Sequence, residues 1–475
     1  MKVAVLGGGG FRTPHVWESV AEVKEAGVEE LVLQDPSGSR LARIAAVIEG
    51  LRRESGGGTS LRTTTSLIEA VEGADMVFCA LRVGGLEGRV IDETVPLGAG
   101  VLGQETVGPG GICFALRTVP VMVEIARVVA EHAPSSWFLN FTNPAGLVTE
   151  AVQEVLGDRA VGICDSPAAL CARVAAALGR RMTDLSFDYA GLNHLGWLLA
   201  VRDGERDLLP ALLADDRLLA RVEEARLFGP ERLRRHGLIP NEYLVYLESP
   251  EAVVAALGRA GAARAETLLA QQTDFYGAGN EPPEQALASW RAARAARYDT
   301  YMAEAWGTLG SEPAAPLADP RADEGPGETP EPRTHGHGVG TERTDEGPGE
   351  AGYALVAATF LRALGRAAGE TLILNVANRG RLPFLDDRAV VEVPCTVGPT
   401  GLRPHAVGAL PPPEADLVAR VKDVERTTIR AALEGSRDLA LQALTAHPVV
   451  PSSEHAERIL GGYLASFPDL AERLR

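Results

Sequence analysis

At 475 residues, 45% hydrophobic and 23% charged, the chain has material for a large core and for two or three lobes. Lys plus Arg total 46 against 64 Asp plus Glu, a formal charge of −18, which repels nucleic acid phosphates and anionic lipid and excludes both as expected partners. An anionic substrate would therefore need its own local basic groups. No uninterrupted apolar run approaches the roughly 18 residues of a membrane span. The five cysteines, Cys79, Cys113, Cys164, Cys171 and Cys395, are scattered and odd in number, which argues against a disulfide framework and for a reducing, cytoplasmic setting.

The opening MKVAVLGGGG has an apolar run only from Val3 to Leu6, too short for a secretory leader and suited to a buried parallel strand entering a turn. KVAVLG, ELVLQD, MVFCAL, WFLNF and VGICDS are short apolar runs with helical patterns between them, the signature of βαβ units around a parallel sheet. After Asp188 the character changes: YAGLNHLGWLLAV reads as a strand, and an Arg/Ala/Glu-rich helical region runs from about 211 to 309. Residues 310–351 hold almost no large apolar side chains and repeat DEGPGE twice, so they are expected to be a disordered insertion. His335 and His337 within it read as solvated loop residues rather than metal ligands. A helix near Tyr353–Ala368, the strands TLILNVAN and AVVEVPC and a helical C-terminal section follow; LVARVKDVERTTIRAAL has an apolar face for core or oligomer packing. The expected fold is α/β: a Rossmann-like parallel sheet over 1–190 binding NAD, and a second α+β domain with long helices over 191–475.

Gly7, Gly8, Gly9 and Gly10 follow the first strand directly, and HVWESVAEV continues as a helix. Without Cβ atoms such a loop turns tightly and approaches a pyrophosphate, while the helix N-terminus offers N–H groups and a positive dipole end. The third glycine of G-x-G-x-x-G falls on Arg12, so the fingerprint is incomplete; Phe11 and Arg12 complete the loop. Asp35 closes the next strand, where an acid commonly binds a ribose 2′-hydroxyl and favours NAD; its alternative is a helix cap.

Four further segments carry chemistry. Residues 82–111, RVGGLEGRVIDETVPLGAGVLGQETVGPGG, read as a glycine-rich active-site loop in which Glu105 could act as a general acid or stand as a solvated glutamate. NFTNPAG offers Asn140 and Asn143 to sugar hydroxyls, with Asn-Pro turn chemistry as the plainer reading. Cys164 in GICDSP and His194 in GLNHLGW suit a divalent transition metal whose open positions take substrate oxygens, although by spacing alone each is more often a structural residue. Tyr243, in IPNEYLVYLESP, could be a base only beside a cation that lowers its pKa; otherwise it packs.

Together RVGGLEGR, DETVPLGAGVLGQETVGPGG, LNFTNPAG, GLNHLGW and VEVPCTVG resemble glycoside hydrolase family 4 along almost the whole chain, apart from 310–351. The resemblance implies NAD and a divalent metal such as Mn2+, and a departure from the two-carboxylate glycosidase scheme. In the implied reaction NAD+ takes a hydride from C3 of the sugar, a base removes the acidified C2 proton, the C1 oxygen leaves, water adds and NADH returns the hydride. Carried over by position, Cys164 and His194 match the metal ligands and Tyr243 the C2 base. Glu105 matches an acid near the sugar, and Asn143, Arg264 and Arg89 match substrate contacts. Asp165 would orient the metal site.

RVGGLEGR looks most like the 6-phospho-β-glucosidase branch, and CDSP looks closer to the α-glucosidase branch. Many 6-phosphoglycosidases carry Ser or Thr after the three glycines; here Gly10, Phe11 and Arg12 follow, and Arg12 could supply a compensating cation. The expected function is hydrolysis of a 6-phospho-β-glucoside by a homodimer or homotetramer. The alternatives are an α-linked or non-phosphorylated sugar, a 2-hydroxy acid dehydrogenase, and a non-catalytic dinucleotide sensor.

Overall fold

The computed structural model describes residues 1–22, 27–55, 58–260, 263–279, 281–298 and 352–475. The insertion expected at 310–351, with His335 and His337, lies outside the described residues.

The apolar runs of the first half form β1 (Lys2–Leu6), β2 (Glu30–Gln34), β4 (Met76–Cys79), β5 (Trp137–Asn140) and β6 (Ala160–Gly162), with the more polar β3 (Ser60–Thr64) at the edge. Their order is β3-β2-β1-β4-β5-β6 and every pairing is parallel. Such strands are covered on both faces, which is why they read as continuous apolar runs. Ala4 and Leu6 enter one core with Val77, Cys79 and the helix Pro109–His132, while Val3 and Val5 enter the other with Phe78 and Leu139. The order reverses between β1 and β4, which opens a crevice at their carboxyl ends.

The sheet does not stop at β6. It continues through β11 (Glu370–Ala377), β12 (Val390–Gly398), β7 (Ser186–Leu192), β8 (Leu195–Asp203) and β10 (Ile239–Pro240), with β9 (Arg206–Asp207) beside β8 and β13 (Gly401–Pro404) beside β12, all antiparallel. Residue 190, the expected domain boundary, falls inside β7, and one ladder runs through both halves. No described helix is long and apolar enough to cross a membrane.

Three expectations are corrected. YAGLNHLGWLLAV is a hairpin rather than one strand: Leu192 pairs with Leu195, leaving Asn193 and His194 as its two-residue turn. Apolar residues on both sides hide that turn, and His194 takes φ 63, in the left-handed region. The loop expected over 82–111 is largely the helix Gly85–Gly98 followed by the start of Pro109–His132. Its buried charges are paired: Asp92 takes Arg117 bidentately at 2.8 and 2.7 Å, and Glu93 takes Arg89 at 2.7 Å. Of the helical region expected from about 211 to 309, the described residues form a series of shorter helices, interrupted by β10. The apolar face of LVARVKDVERTTIRAAL, within the helix Pro412–Glu434, packs inside the chain, with Val418, Val424 and Ala431 buried.

Candidate active site

The glycine loop turns on Gly7, at φ 80, where a Cβ would come within 2.5 Å of the Ala80 carbonyl oxygen. Gly8 donates its N–H to the Gln34 carbonyl at 2.8 Å, and a Cβ on Gly9 would meet the Asp35 carboxyl at 2.9 Å. The helix Thr13–Glu22 follows, with Pro14 in its first turn. Asp35 accepts the Ser37 N–H at 2.9 Å and lines the groove, while the following helix Gly38–Ser55 is capped by Ser37, whose hydroxyl accepts the Arg40 N–H at 3.3 Å. That groove holds roughly 660 Å³ and includes Gly7, Gly10, Phe11 and Arg12 in its wall. The loop is braced from the second half. The Tyr276 hydroxyl donates to the Gly9 carbonyl at 2.7 Å, and the Trp290 indole donates to the Phe11 carbonyl at 2.9 Å.

A second cavity gathers the remaining candidates. Arg12, Arg89, Glu105, Asn143, Cys164, His194, Tyr243 and Arg264 all line it. Asn143 follows β5, Cys164 follows β6, His194 sits at the β7–β8 turn, and Tyr243 lies in the single turn Glu242–Leu244. Arg264 begins the helix Arg264–Gly277, whose Ala265 N–H donates to Glu93 at 3.0 Å. Arg12, Arg89, Glu105, Asn143 and Arg297 line both this cavity and the groove, so the two spaces adjoin.

His194 is buried, which pushes its pKa down to about 4 and keeps the imidazole neutral at pH 7. Its Nδ1 lies 3.1 Å from the Thr106 hydroxyl, which leaves Nε2 as the nitrogen not engaged in that contact. Tyr243 stacks on its ring, with centroids 3.8 Å apart and planes 3° apart. Burial, with the negative charges of Glu392, Asp165 and Glu242, pushes the Cys164 thiol well above its usual range. A dication would reverse that balance, because an anionic surrounding that opposes a bare thiolate favours a metal-bound one. Among the described residues no three His, Cys, Asp or Glu groups converge on one point. Cys164 and His194 line the same cavity, and a divalent ion held by these two would need oxygens from substrate or water to complete its coordination.

Glu105 bridges two arginines: Arg82, and Arg89 at 2.9 Å. Burial alone would raise its pKa, but Arg82, Arg89, Arg12 and Arg297 outweigh burial and hold the carboxyl well below the usual range. At neutral pH it is a carboxylate with no proton to give, which does not suit the general-acid role expected from sequence. Thr106, Glu93 and Arg297 were missed. Arg89 and Glu93 at i and i+4 could have signalled a helical pair, and Thr106 adjoins Glu105; nothing local marks Arg297 among the arginines of its helix.

Comparison with known proteins agrees with this geometry. The family model described as "Family 4 glycosyl hydrolase" matches residues 2–180, and that of its C-terminal domain matches 189–450. A probable 6-phospho-beta-glucosidase of Bacillus subtilis (strain 168) is 29% identical, over 97% of this chain and 95% of its own. The structure of a Thermotoga maritima 6-phospho-beta glucosidase with NAD and glucose-6-phosphate superposes with a TM-score of 0.78 at 25% identity, covering 99% of each chain. That of a 6-phospho-alpha-glucosidase from gut microorganisms, with NAD and Mn2+, gives 0.77 at 25% identity, covering 99% and 98%. With both family models matched and the dinucleotide groove opening on the Cys164–His194–Tyr243 cavity, the chain belongs to glycoside hydrolase family 4.

Proposed function

We propose that this chain hydrolyses a 6-phosphorylated β-glucoside, with NAD and a divalent ion, Mn2+ first, as cofactors. The observation that carries this reading is the single cavity in which Cys164, His194 and Tyr243 meet Arg12, Arg89, Arg264 and Arg297. In a chain of charge −18, four arginines around one small space favour a phosphorylated substrate. The NAD, Mn2+ and glucose-6-phosphate bound in the similar structures support the same choice.

When bound, NAD+ supplies reversible hydride acceptance at sugar C3, and a divalent ion at Cys164 and His194 supplies Lewis-acid charge beside the sugar oxygens. The chain's own residues do the rest. Tyr243 takes the C2 proton; a phenol needs a nearby cation for that task, and the Arg89 charge acts on Tyr243. Asn143 hydrogen-bonds sugar hydroxyls, and Arg12, Arg264 and Arg297 hold the phosphate. Glu105 stays ionised and fixes Arg82 and Arg89 between the groove and the cavity.

The RVGGLEGR segment supports the β anomer. The CDSP segment, and similarity to an α-specific structure, support an α-linked substrate as the second reading. The test is a panel of α- and β-nitrophenyl glucosides, with and without a 6-phosphate, assayed with NAD+ and Mn2+. The expected result is fastest release from the phosphorylated β-glucoside, with no net NADH. Accumulating NADH would replace the hydrolase with a dehydrogenase, and faster release from the α-anomer would reverse the linkage.

A further inference from the structure

β6 leads into Cys164 and β7 leads into His194, but the two strands are not neighbours; β11 and β12 lie between them. One row of residues crosses all four: Gly162 on β6 opposite Asn375 on β11, Asn375 opposite Glu392 on β12, and Glu392 opposite Gly191 on β7. The glycine at the β6 end leaves room for Asn375, since a Cβ on Gly162 would sit 2.8 Å from the Asn375 Cβ; a Cβ on Gly191 would instead meet the Leu195 carbonyl oxygen at 2.2 Å. Glu392 and Asn375 are completely buried.

Glu392 is fully used there. Its Oε1 accepts the Asn375 amide N–H at 2.8 Å and the Asn193 amide N–H at 3.4 Å, and its Oε2 accepts the Tyr189 hydroxyl at 3.3 Å. Asn193 then reaches onward: its Oδ1 accepts the Ala145 N–H at 3.2 Å, just past Asn143 and Pro144. One buried carboxyl thus ties the turn that bears His194 to the loop that bears Asn143, in the row that sets the separation of β6 and β7. A buried acid with three hydrogen-bonding partners is costly to lose, because each partner is left unsatisfied.

We infer that Glu392 is a positioning residue, acting through Asn193, that sets the placement of His194 relative to Cys164 and so tunes affinity for the divalent ion. This rests on the proposed metal role of Cys164 and His194. The experiment titrates Co2+ into the wild type and into Glu392→Ala, Glu392→Gln and Asn193→Ala. The readout is the thiolate-to-cobalt absorption band, with NAD binding followed separately by fluorescence. Outer partners of metal ligands typically carry about 10- to 100-fold in affinity, so Glu392→Ala and Asn193→Ala should lose that much with NAD binding unchanged. Glu392→Gln keeps an oxygen for Asn375 and Asn193 and should stay near wild type.

Cobalt binding by Glu392→Ala equal to wild type overturns the inference, as does a Gln variant that falls as far as Ala. Loss of NAD binding in step with cobalt also overturns it, because that marks a general structural role. If Glu392→Ala does not fold, Asn193→Ala in the hairpin turn decides by the same criteria. A wild type without the thiolate band overturns the metal reading as well, whereas a banded wild type with unaffected variants overturns only this inference.

Discussion

The His194 imidazole lies flat against the Tyr243 phenol, with ring centroids 3.8 Å apart and planes within 3°. The residue proposed to hold the metal and the residue proposed to take the proton are thus one packed unit. Tyr243→Phe preserves the stack and removes only the hydroxyl. It should lower kcat about 10²- to 10⁴-fold and abolish exchange of the C2 proton with solvent, while metal affinity holds. Exchange at the wild-type rate, followed by NMR in deuterated buffer, would assign the base elsewhere.

Cys164→Ser and His194→Asn should remove metal-dependent activity and leave the fold. Asparagine is chosen because it tolerates the left-handed backbone at position 194. Loss of Lewis-acid help is worth several kcal/mol, or about 10³-fold or more in rate. Circular dichroism melts check the fold. Full activity in chelator-treated wild type, measured with a chromogenic 6-phosphoglucoside, would contradict the metal assignment.

Arg264 lines the sugar cavity and is absent from the wall of the dinucleotide groove. Arg264→Ala should therefore raise KM for a 6-phosphorylated substrate and leave NAD binding intact. A hydrogen bond to a charged group contributes about 1.5–3 kcal/mol, which corresponds to roughly 10- to 150-fold in KM. Equal losses for phosphorylated and plain glucosides would move the phosphate contact to another arginine.

Glu105→Gln tests an ionised anchor against a proton donor. The arginines hold this carboxyl far below neutrality, so the variant should weaken substrate and NAD binding together and keep both limbs of the pH–rate profile. Disappearance of the alkaline limb would make Glu105 the acid after all.

Burial lowers the His447 pKa to about 3, below the ordinary value near 6.5 of an unfolded chain. Between those values the unfolded state binds the extra proton, so this group's contribution to stability is present above pH 6.5 and is lost as pH falls toward 3. Buried Glu392 and half-buried Glu248, raised to about 7, act in the opposite direction. A single substitution isolates the histidine. His447→Asn, which can still accept the Val449 N–H, should reduce the pH slope of urea-unfolding free energy by up to about 1.4 kcal/mol per pH unit between pH 6 and 4. An unchanged slope would mean that His447 titrates normally.

The parallel half of the fold was legible because strands buried on both faces leave continuous apolar runs, and β1, β2, β4, β5 and β6 all do so. The Asn193–His194 turn was not, because Leu192 and Leu195 flank it without a glycine. The helix Gly85–Gly98 read as a loop because its buried charges find partners far along the chain: Arg117 for Asp92, and the Ala265 N–H for Glu93. Cys164, His194, Tyr243 and Asn143 could be named from their motifs, and the cavity holds all four. Glu105 could be found but not assigned a charge state, since that depends on arginines at positions 12, 82, 89 and 297 meeting in space. The brace on the glycine loop was invisible for the same reason; Tyr276 and Gly9 are 267 positions apart.

That brace bears on modularity. Two carbonyls of the glycine loop, at Gly9 and Phe11, are satisfied by side chains that arrive late in synthesis. The Phe11 ring meets Phe275 edge-on, with centroids 5.3 Å apart. A fragment ending near residue 190 would keep all six parallel strands yet expose this ring and release both carbonyls to water. The N-terminal half is therefore not a portable cofactor cassette. Its glycine loop, proposed to hold the cofactor, is fully braced only when the rest of the chain has folded against it.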